Sequence, residues 1–480
     1  MSQISYIIKT TFLTITLFTL FSSLSWSQAG STKKKTVSQL SEEIPHGMES
    51  KSRLDKGTLE NKIEGGAFSG LPLVNSDADL GFGYGARVYY IHNGKKNNPF
   101  FKYSPYFHRI FAQFFQTTNG YLYHTVDYDA PYFNNSLFRL RGSIVWEKNT
   151  GMNYFGLGSA SMGKLTMPTN TILGAQSGKT YDKAATYLEN LRDLYGTSTW
   201  GRYNKFSYEK PRVNLSIERE IFGGVIRPFL GFSFGKVNIV DYSGVVMNTG
   251  AELKGNEATM QDSKLLEDQN LGSITGFNGG WENTIKLAVA YDTRDFEPDP
   301  RNGVYIEVLY DMSTKLLGST FDYQIFAFTP AFFYSPIAKF QDLRFALRYH
   351  FSSKTGEVPF YAANYIDTIS SVGNGLGGVR TLRGYTLQRF AGNVMSMLNF
   401  ETRLNFYEVN AGSHHFAFMI VPFIDYGRTF DKPDKLSFDN YKLTYGAGLR
   451  IAWNQATIIM IDYGISEEGS GLYINFNHIF

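Results

Sequence analysis

The chain has 480 residues, no Cys, 47 Gly and 15 Pro, and Phe, Tyr and Trp make up 16% of it. Charged residues account for 19%, and the 46 Lys and Arg nearly balance the 43 Asp and Glu, which leaves a net charge of +3. The aromatic content excludes a disordered chain, and the lack of Cys excludes a disulfide scaffold. A charge so close to neutral gives no support for a nucleic-acid partner.

The N-terminus, residues 1–27, is typical of a secretory signal peptide. Lys9 supplies a weak positive region, and the stretch from Thr10 to Leu24 is apolar. Ser25 and Ser27 are small residues at the two positions that signal peptidase reads, so we expect cleavage before Gln28. A membrane anchor is the alternative, but the apolar run is shorter than the roughly 20 residues that a spanning helix needs.

The next segment, residues 28–77, is polar and charged and shows little periodicity. It predicts a short flexible leader in the periplasm. From residue 78 to residue 480, apolar and polar residues alternate in one long run after another. This second part is predicted to form a transmembrane β-barrel.

The segment 341–354 illustrates the alternation. Its odd-numbered positions from Leu343 to Phe351 are apolar or aromatic, and the positions between them include Arg344, Arg348 and His350. Such runs exceed the five or six residues that strands usually have. Apolar residues facing lipid and charged residues facing a lumen are the pattern of outer-membrane barrels.

Sixteen segments fit this pattern, which predicts an all-β fold: a 16-stranded antiparallel transmembrane barrel of the outer membrane. The segments are roughly 78–91, 105–118, 120–131, 136–147, 151–162, 205–219, 224–240, 281–293, 302–316, 321–335, 341–354, 393–407, 415–429, 440–454, 456–466 and 471–480.

The long connections between these strands predict the sidedness of the barrel. With a periplasmic N-terminus, the connections 163–204, 241–280 and 355–392 all lie outside, as long loops do in bacterial barrels. The same count puts the short turn 118–120 in the periplasm. Helical spacing from Tyr181 to Tyr195 predicts a short helix in the first of these loops.

Three motifs stand out within the barrel region. The first is Leu382-Arg383-Gly384-Tyr385, which lies in the third long loop. The second, Phe423-Ile424-Asp425-Tyr426-Gly427, lies on the thirteenth predicted strand, and the third, Asp292-Thr293-Arg294-Asp295 with Pro298, Pro300 and Gly303, lies at the turn between the eighth and ninth.

In these motifs and their order, the chain from about residue 70 onward resembles the bacterial surface antigen barrels of outer-membrane assembly factors and two-partner-secretion transporters. The resemblance implies a sixth external loop folded into the lumen. It also implies a weakly paired seam between the first and last strands that opens toward lipid. The segment 28–77 is too short for the periplasmic repeats of that family, so the chain looks like a barrel-only member.

An Arg on an inward-folded loop needs a buried anion. Asp425 is predicted to face inward, because Phe416 and Ile420 on the same strand define the lipid face. Since either charge alone would cost several kcal/mol to bury, we expect Arg383 and Asp425 to pair in the lumen. Glu401 is a second candidate partner, and an exposed Arg383 on a mobile loop is the alternative.

The preferred function is protein or lipid insertion, translocation or envelope assembly, without catalysis, cofactor or metal. The expected partners are outer-membrane lipid and lipopolysaccharide, the barrel assembly machinery, to which the C-terminal Phe480 would be presented, and client polypeptides. The rival is a passive porin or small-solute channel. A lipase is disfavoured, because Gly231-Phe232-Ser233-Phe234-Gly235 lies within a predicted strand rather than at a strand-to-helix turn.

Overall fold

The computed structural model describes residues 40–49, 53–54, 59, 62–77, 81–169, 177–194, 202–243, 262–297, 299–337, 342–369, 372–411, 414–453 and 457–480. Its main element is one antiparallel sheet of 16 strands. The strands are β1 (Gly66–Asp77), β2 (Gly81–His92), β3 (His108–Thr117), β4 (Leu122–Ala130), β5 (Phe138–Asn153), β6 (Lys205–Arg219), β7 (Ile226–Asp241), β8 (Gly279–Asp292), β9 (Gly303–Ser313), β10 (Tyr323–Ile337), β11 (Leu343–Gly356), β12 (Val394–Ala411), β13 (His414–Phe430), β14 (Lys442–Trp453), β15 (Thr457–Ser466) and β16 (Gly469–Phe476).

Each strand pairs with its neighbours in sequence, and the sheet curls into a barrel. Arg139 of β5 lies 3.5 Å from Glu297 in the β8–β9 turn, and His478, beyond β16, lies 3.0 Å from Asp299 in that same turn. Strands lie about 4.8 Å apart within a sheet, so His478 beside β16 and the β8–β9 turn, eight strands away, can meet only if the sheet is strongly curled. Over the described residues, no backbone ladder links β1 to β16.

The predicted alternation is confirmed along the strands. On β6, Val213, Leu215 and Ile217 are exposed on the outer face, whereas Glu218 is buried on the inner face. On β11, Arg344 and His350 are buried inside. The outer surface is therefore apolar and the lumen is lined with charges, as a transmembrane barrel requires.

The strand count of 16 is right, but two of the individual predictions behind it are wrong. The predicted strand 151–162 does not form, because β5 continues to Asn153 and a 3₁₀ helix then covers Gly158–Met162. β5 runs past its predicted end through a shift in the β5–β6 register between Asn149 and Met152. The prediction therefore divided one long strand into two.

The second error is the strand β1, which lies within the predicted leader 28–77. Gly66 pairs with His92 and Asp77 with Gly81, so the sheet begins at residue 66 rather than 78. Pro72 and Gly70 interrupt the alternation, and Pro is tolerated because β1 is an edge strand, where a missing N–H need not break a ladder.

These two errors reverse the predicted sidedness of the first few connections. The turn after β3 was predicted to lie opposite the long loops, yet Thr150 near the end of β5 donates a hydrogen bond to the carbonyl of Asn119 at 2.7 Å. The backbone carbonyl of Thr150 accepts one from Tyr242, which begins the β7–β8 loop, at 2.9 Å. The turn therefore lies at the same end as the long loops.

Parts of the predicted leader pack against the barrel, although most of its described residues are exposed. Met48 is fully buried in a cluster with Phe100, Phe101, Tyr103, Phe107 and Tyr132 at the end of the barrel opposite the long loops. Lys62 donates hydrogen bonds to the carbonyls of Phe101 and Ser104 at 2.8 and 2.7 Å. Residues 1–39, including the predicted signal peptide, lie outside the described residues.

The three long loops pack together over one end of the barrel. The predicted helix is confirmed as α1 (Ala184–Leu194), and a second helix, α2 (Lys264–Asn270), lies in the β7–β8 loop. Tyr154 and Tyr203 of the β5–β6 loop donate hydrogen bonds to Asp268 and Glu267 of α2 at 2.8 and 2.7 Å. Within the described chain, no helix is both long and apolar enough to cross a membrane.

The last strand is shorter than predicted. The segment 471–480 was expected to be one strand, but β16 ends at Phe476. Asn477 adopts a left-handed backbone conformation with φ of 65°, and the chain then turns into the lumen, where Ile479 is buried.

Candidate functional site

The loop between β11 and β12, residues 357–393, lies inside the barrel. Leu376, Leu382 and Phe390 are all completely buried. With other loop residues and two Met of β12 they form an apolar cluster that we call the loop core: Ile366, Leu376, Leu382, Tyr385, Phe390, Met395 and Met397. The inward-folded loop predicted from the motif is therefore present.

The tip of the loop presses against the inner wall at β15. Gly384 has φ of 110°, and a Cβ atom there would lie 2.8 Å from the backbone carbon of Ile465. Only Gly fits this combination of positive φ and close backbone approach. Tyr385 stacks edge-on against Phe390 with ring centroids 5.0 Å apart, and the Tyr473 hydroxyl of β16 accepts the N–H of Gly384 at 2.9 Å.

Arg383 meets Asp425 as a two-point pair. Its Nε and Nη2 donate to Oδ2 and Oδ1 of Asp425 at 2.8 and 2.7 Å, and its backbone N–H donates to Oδ2 at 3.2 Å. This fork geometry is the one that guanidinium and carboxylate groups favour. The guanidinium carbon also lies 3.4 Å from the ring centroid of Phe423.

The third guanidinium nitrogen of Arg383 reaches two further acids. Nη1 lies 2.8 Å from Oε1 of Glu401 on β12 and 2.8 Å from Oδ2 of Asp462 on β15. Glu401 is thus a second partner beside Asp425, rather than a substitute for it. Asn399 supports the pair, because its amide donates to Asp425 and to the Thr381 carbonyl of the loop, both at 2.8 Å.

Two more guanidinium groups balance the charge. Arg403 lies 2.8 Å from Glu401, and Arg450 contacts both Asp462 and Glu401. We call the whole set the Arg383 cluster: Arg383, Glu401, Arg403, Asp425, Arg450 and Asp462, all fully buried. Three positive and three negative groups cancel, so no net charge is buried and each ion has an opposite partner.

Sequence reasoning missed Asp462, although a signal for it exists. The residues Ile461-Asp462-Tyr463-Gly464 repeat Ile424-Asp425-Tyr426-Gly427. In both copies the Asp faces the lumen and the Gly two residues later leaves room for the loop. A Cβ on Gly464 would lie 2.6 Å from the Arg383 backbone, and one on Gly427 would lie 3.3 Å from Leu382.

The loop is attached to the opposite wall as well. Lys354 of β11 donates to the carbonyls of Ala362 and Tyr365 at 2.8 and 2.6 Å. Glu307 of β9 accepts the backbone N–H of Ile369 at 2.7 Å. Lys286 of β8 also donates to the Thr368 carbonyl of the loop at 3.3 Å, and Tyr473 lies on β16, eight strands away, so the loop spans the lumen.

A second buried Arg, Arg389, attaches the loop to other loops at the end of the barrel that the long loops cover. Its Nε lies 2.8 Å from Glu468 in the β15–β16 turn, and its other nitrogens donate to the carbonyls of Ser161 and Gly163 at 2.5 and 2.6 Å. Ser161 and Gly163 belong to the β5–β6 loop. No motif marked Arg389 in the sequence.

The third motif forms the β8–β9 turn across the other mouth of the barrel. Asp292 accepts from Arg294 at 2.8 Å and from Arg227 of β7 at 2.6 Å. Asp299 lies 2.6 Å from Arg344 of β11 and 3.0 Å from His478. This motif thus links several strands and the end of the chain at one mouth. Among the described residues, no cluster of His, Asp and Glu has a metal-binding arrangement.

Two family models match the chain. The Omp85 superfamily domain matches residues 125–477, which is most of the barrel. A domain of unknown function, DUF5982, matches residues 44–107, which cover the N-terminal segment from residue 44, β1, β2 and the β2–β3 connection. No curated protein matches the chain.

Among solved structures, the chain is similar to BamA from Haemophilus ducreyi lacking POTRA domains 1–3, with 12% identity and a TM-score of 0.47 over 86% of this chain and 69% of that one. It is also similar to CdiB from Escherichia coli, with 9% identity and a TM-score of 0.47, covering 86% of this chain and 61% of that one. For CdiB from Acinetobacter baumannii the identity is 9%, the TM-score 0.43 and the coverage 88% and 66%.

Proposed function

Because the chain belongs to the Omp85 superfamily, we propose that it is a non-catalytic barrel of the Gram-negative outer membrane that inserts or translocates polypeptide or lipid during envelope assembly. The observation that carries this proposal is the anchored loop. A passive pore does not need a buried ion cluster, whereas three carboxylates on three strands hold Arg383 of this loop inside the lumen.

The occupied lumen argues against the porin alternative. The loop spans the barrel from Lys286 of β8 to Tyr473 of β16, which lie on strands eight positions apart in the sheet. The packed outer loops add an apolar cluster above it that includes Tyr154, Phe206 and Phe360. A water-filled channel, as in a porin, is thus blocked at two levels.

The edges of the sheet support a lateral route to lipid instead. The edge strand β1 contains Pro72, which cannot donate a ladder hydrogen bond, and β16 ends at Phe476. An unpaired edge presents free N–H and C=O groups that can pair with another strand. Gly83 and Gly85 lie on β2, which pairs with β1 and β3, so they do not contribute to this seam.

The partners follow from these surfaces. The apolar outer face would contact lipid, with lipopolysaccharide on the side of the long loops. Client polypeptides would pair with the free edge of β1. The barrel assembly machinery would insert the chain itself, as it does other barrels of this type.

Reconstitution of the purified barrel in liposomes tests this function. We expect it to accelerate the folding of an added unfolded barrel client, measured by heat-modifiable gel migration. The matched control is liposomes that carry the same amount of an unrelated porin. Equal folding rates in the two preparations, together with a large steady conductance in planar bilayers, would favour the porin and contradict the proposal.

A further inference from the structure

The last residues of the sequence form a bound segment inside the lumen rather than the end of a strand. The N–H of Asn477 donates to the Ile458 carbonyl of β15 at 2.8 Å, and the chain then leaves the sheet. His478 and Ile479 are 5% and 3% exposed. We call residues 478–480 the tail.

Three Arg hold the backbone of the tail. Arg348 of β11 donates to the carbonyl of Ile479 at 3.0 Å, and Arg403 of β12 donates to the main-chain oxygen of Phe480 at 3.1 Å. From the inward loop, Arg380 lies 3.4 Å from the carbonyl of His478. The contacts to His478 and Ile479 are to peptide carbonyls, which every extended peptide placed there would also present.

The side chains of the tail occupy defined positions. The Phe480 ring lies between the guanidinium groups of Arg348 and Arg403, at 4.9 and 5.3 Å from its centroid, and 6.1 Å from the ring of Phe333. Cations stacked on an aromatic face stabilise it, more so when the pair is shielded from water. The Nε2 of His478 lies 3.0 Å from Asp299.

The site has one donor that the tail leaves unused. Arg403 Nη1 is buried and has no hydrogen-bond partner in the described chain. Among the described residues, the hydrogen-bond acceptors of Arg348 are neutral: the amide oxygen of Asn399 and the carbonyls of Arg380 and Ile479. A guanidinium binds a charged acceptor, or two acceptors at once, more strongly than a single neutral one. A ligand with more acceptor atoms would therefore fit the site as well as the tail does.

The groups around the tail define the tail site: Asp299, Phe333, Arg348, Arg380 and Arg403. We propose that the tail site is a lumenal peptide-binding site, and that it accepts an extended peptide carrying an aromatic residue in place of the tail. In the resting barrel the tail fills the site. This inference concerns binding alone, so it does not depend on whether the barrel inserts clients.

Peptide binding to the purified full-length barrel in detergent tests the proposal. The probe is a dye-labelled peptide with the sequence of residues 475–480, Asn-Phe-Asn-His-Ile-Phe, followed by fluorescence anisotropy. In a variant with a weakened tail, His478→Gly, Ile479→Gly and Phe480→Gly, we expect saturable binding. Wild-type barrel should bind at least tenfold more weakly, because its tethered tail competes at high effective concentration.

Two controls define the site. Arg348→Gln in the weakened-tail variant should reduce affinity at least tenfold, and so should replacing the last Phe of the peptide by Ala. Arg428→Gln should change nothing, because Arg428 lies on the other side of the β13 wall and contacts Ser437. No saturable binding to the folded variant, or equal binding with and without Arg348, would overturn the proposal.

A second measurement needs no weakened tail. The chain has no Cys, so Asp299→Cys with His478→Cys introduces a unique pair at the site of a 3.0 Å contact. We expect a short bis-maleimide to crosslink the two thiols by addition in the folded barrel, and an excess of the peptide to slow formation of the crosslink at least threefold. Formation at the same rate with the peptide present would show that the peptide does not displace the tail.

Discussion

Arg383 and Arg389 lie on the same loop and are both completely buried, yet they attach the loop to different parts of the barrel. Arg383 contacts carboxylates on β12, β13 and β15, which are fixed by continuous ladders. Arg389 contacts one carboxylate, Glu468, in a turn and two carbonyls in the β5–β6 loop. The first Arg joins the loop to the wall, and the second joins it to other loops.

The comparison teaches that burial alone does not set the importance of an ion. Removing Arg383 leaves three carboxylates and two guanidinium groups in a fixed, buried space. Removing Arg389 leaves a single carboxylate, Glu468, in a turn that can move toward water. The cost of an unpaired buried charge falls when the site can relax or hydrate. We therefore expect a clear order of effects.

The largest effect is expected for Arg383→Ala. The loss of one partner from a buried ion cluster costs about 3–5 kcal/mol, so the loop should leave the lumen in part of the population. Proteinase K cleavage of the loop in folded barrel measures this release. Arg383→Lys is the matched control, because it keeps the charge but cannot form the two-point pair with Asp425. Cleavage as slow as in the wild type would contradict a role for Arg383 in anchoring.

Asp462→Asn should have the next largest effect. A hydrogen bond to a charged group contributes about 1.5–3 kcal/mol, and Asp462 binds both Arg383 and Arg450. Faster hydrogen exchange in residues 381–385 would report the loosening. Asp434→Asn, at an exposed position in the β13–β14 turn, is the control. Equal hydrogen exchange in the two variants would show that Asp462 does not help to anchor the loop.

Arg389→Ala should have a smaller effect than either. We expect about 1–3 kcal/mol of local destabilisation, the range for leaving a buried polar group unsatisfied. Hydrogen exchange should rise near Ser161 and Glu468 but stay unchanged near Arg383. Release of the whole loop by this variant would show that the contacts of Arg389 with other loops hold it in place, rather than the contacts of Arg383 with the barrel wall.

The last prediction concerns docking of the N-terminal segment rather than anchoring of the loop. Burial lowers the pKa of Lys62 to about 7, although its carbonyl partners and the Phe101 ring, 3.8 Å away, favour the charged form. In the unfolded chain the pKa of Lys62 is about 10.4. Between pH 7 and pH 10, Lys62 is therefore protonated more often in the undocked segment than in the docked one. Docking should strengthen as pH rises from 7 to 10. Hydrogen exchange of residues 40–49 measures it, and Lys62→Met should abolish the dependence.

Much of the barrel could be predicted because strand alternation is a local pattern. The strands from β6 onward were located close to their bounds, since each shows a long run of apolar residues at every second position. Strand β1 was missed because Gly70 and Pro72 break that pattern, and an edge strand tolerates both. The extension of β5 was misread because a register shift leaves no mark in the sequence.

The site was predictable only as far as motifs mark it. Leu382-Arg383-Gly384-Tyr385 and Asp425 carry a recognisable pattern, and alternation gave the inward direction of Glu401. Asp462, Arg389 and the tail site depend on contacts between segments far apart in sequence, such as Arg389 with Ser161. Such pairings come from the closed sheet, and one sequence without its fold does not specify them.

The Arg383 cluster also changes the result expected from a charge exchange, compared with an isolated pair of Arg383 and Asp425. Exchanging the charges, Arg383→Asp with Asp425→Arg, would restore a simple pair. In the structure, however, a carboxylate at position 383 would face Glu401 and Asp462, which lie 2.8 Å from the present guanidinium. We therefore expect the exchange to leave the loop unprotected.

The most direct test of the account is a double-mutant cycle of Arg383→Ala and Asp425→Ala, with the free energy of loop release taken from cleavage rates of folded barrel. The double variant leaves Glu401 and Asp462 against Arg403 and Arg450, so its buried charges balance again. It should therefore cost less than the sum of the single variants, by about 1–3 kcal/mol. Costs that add to within about 0.5 kcal/mol would contradict a direct pair and, with it, the Arg383 cluster as the anchor of the loop.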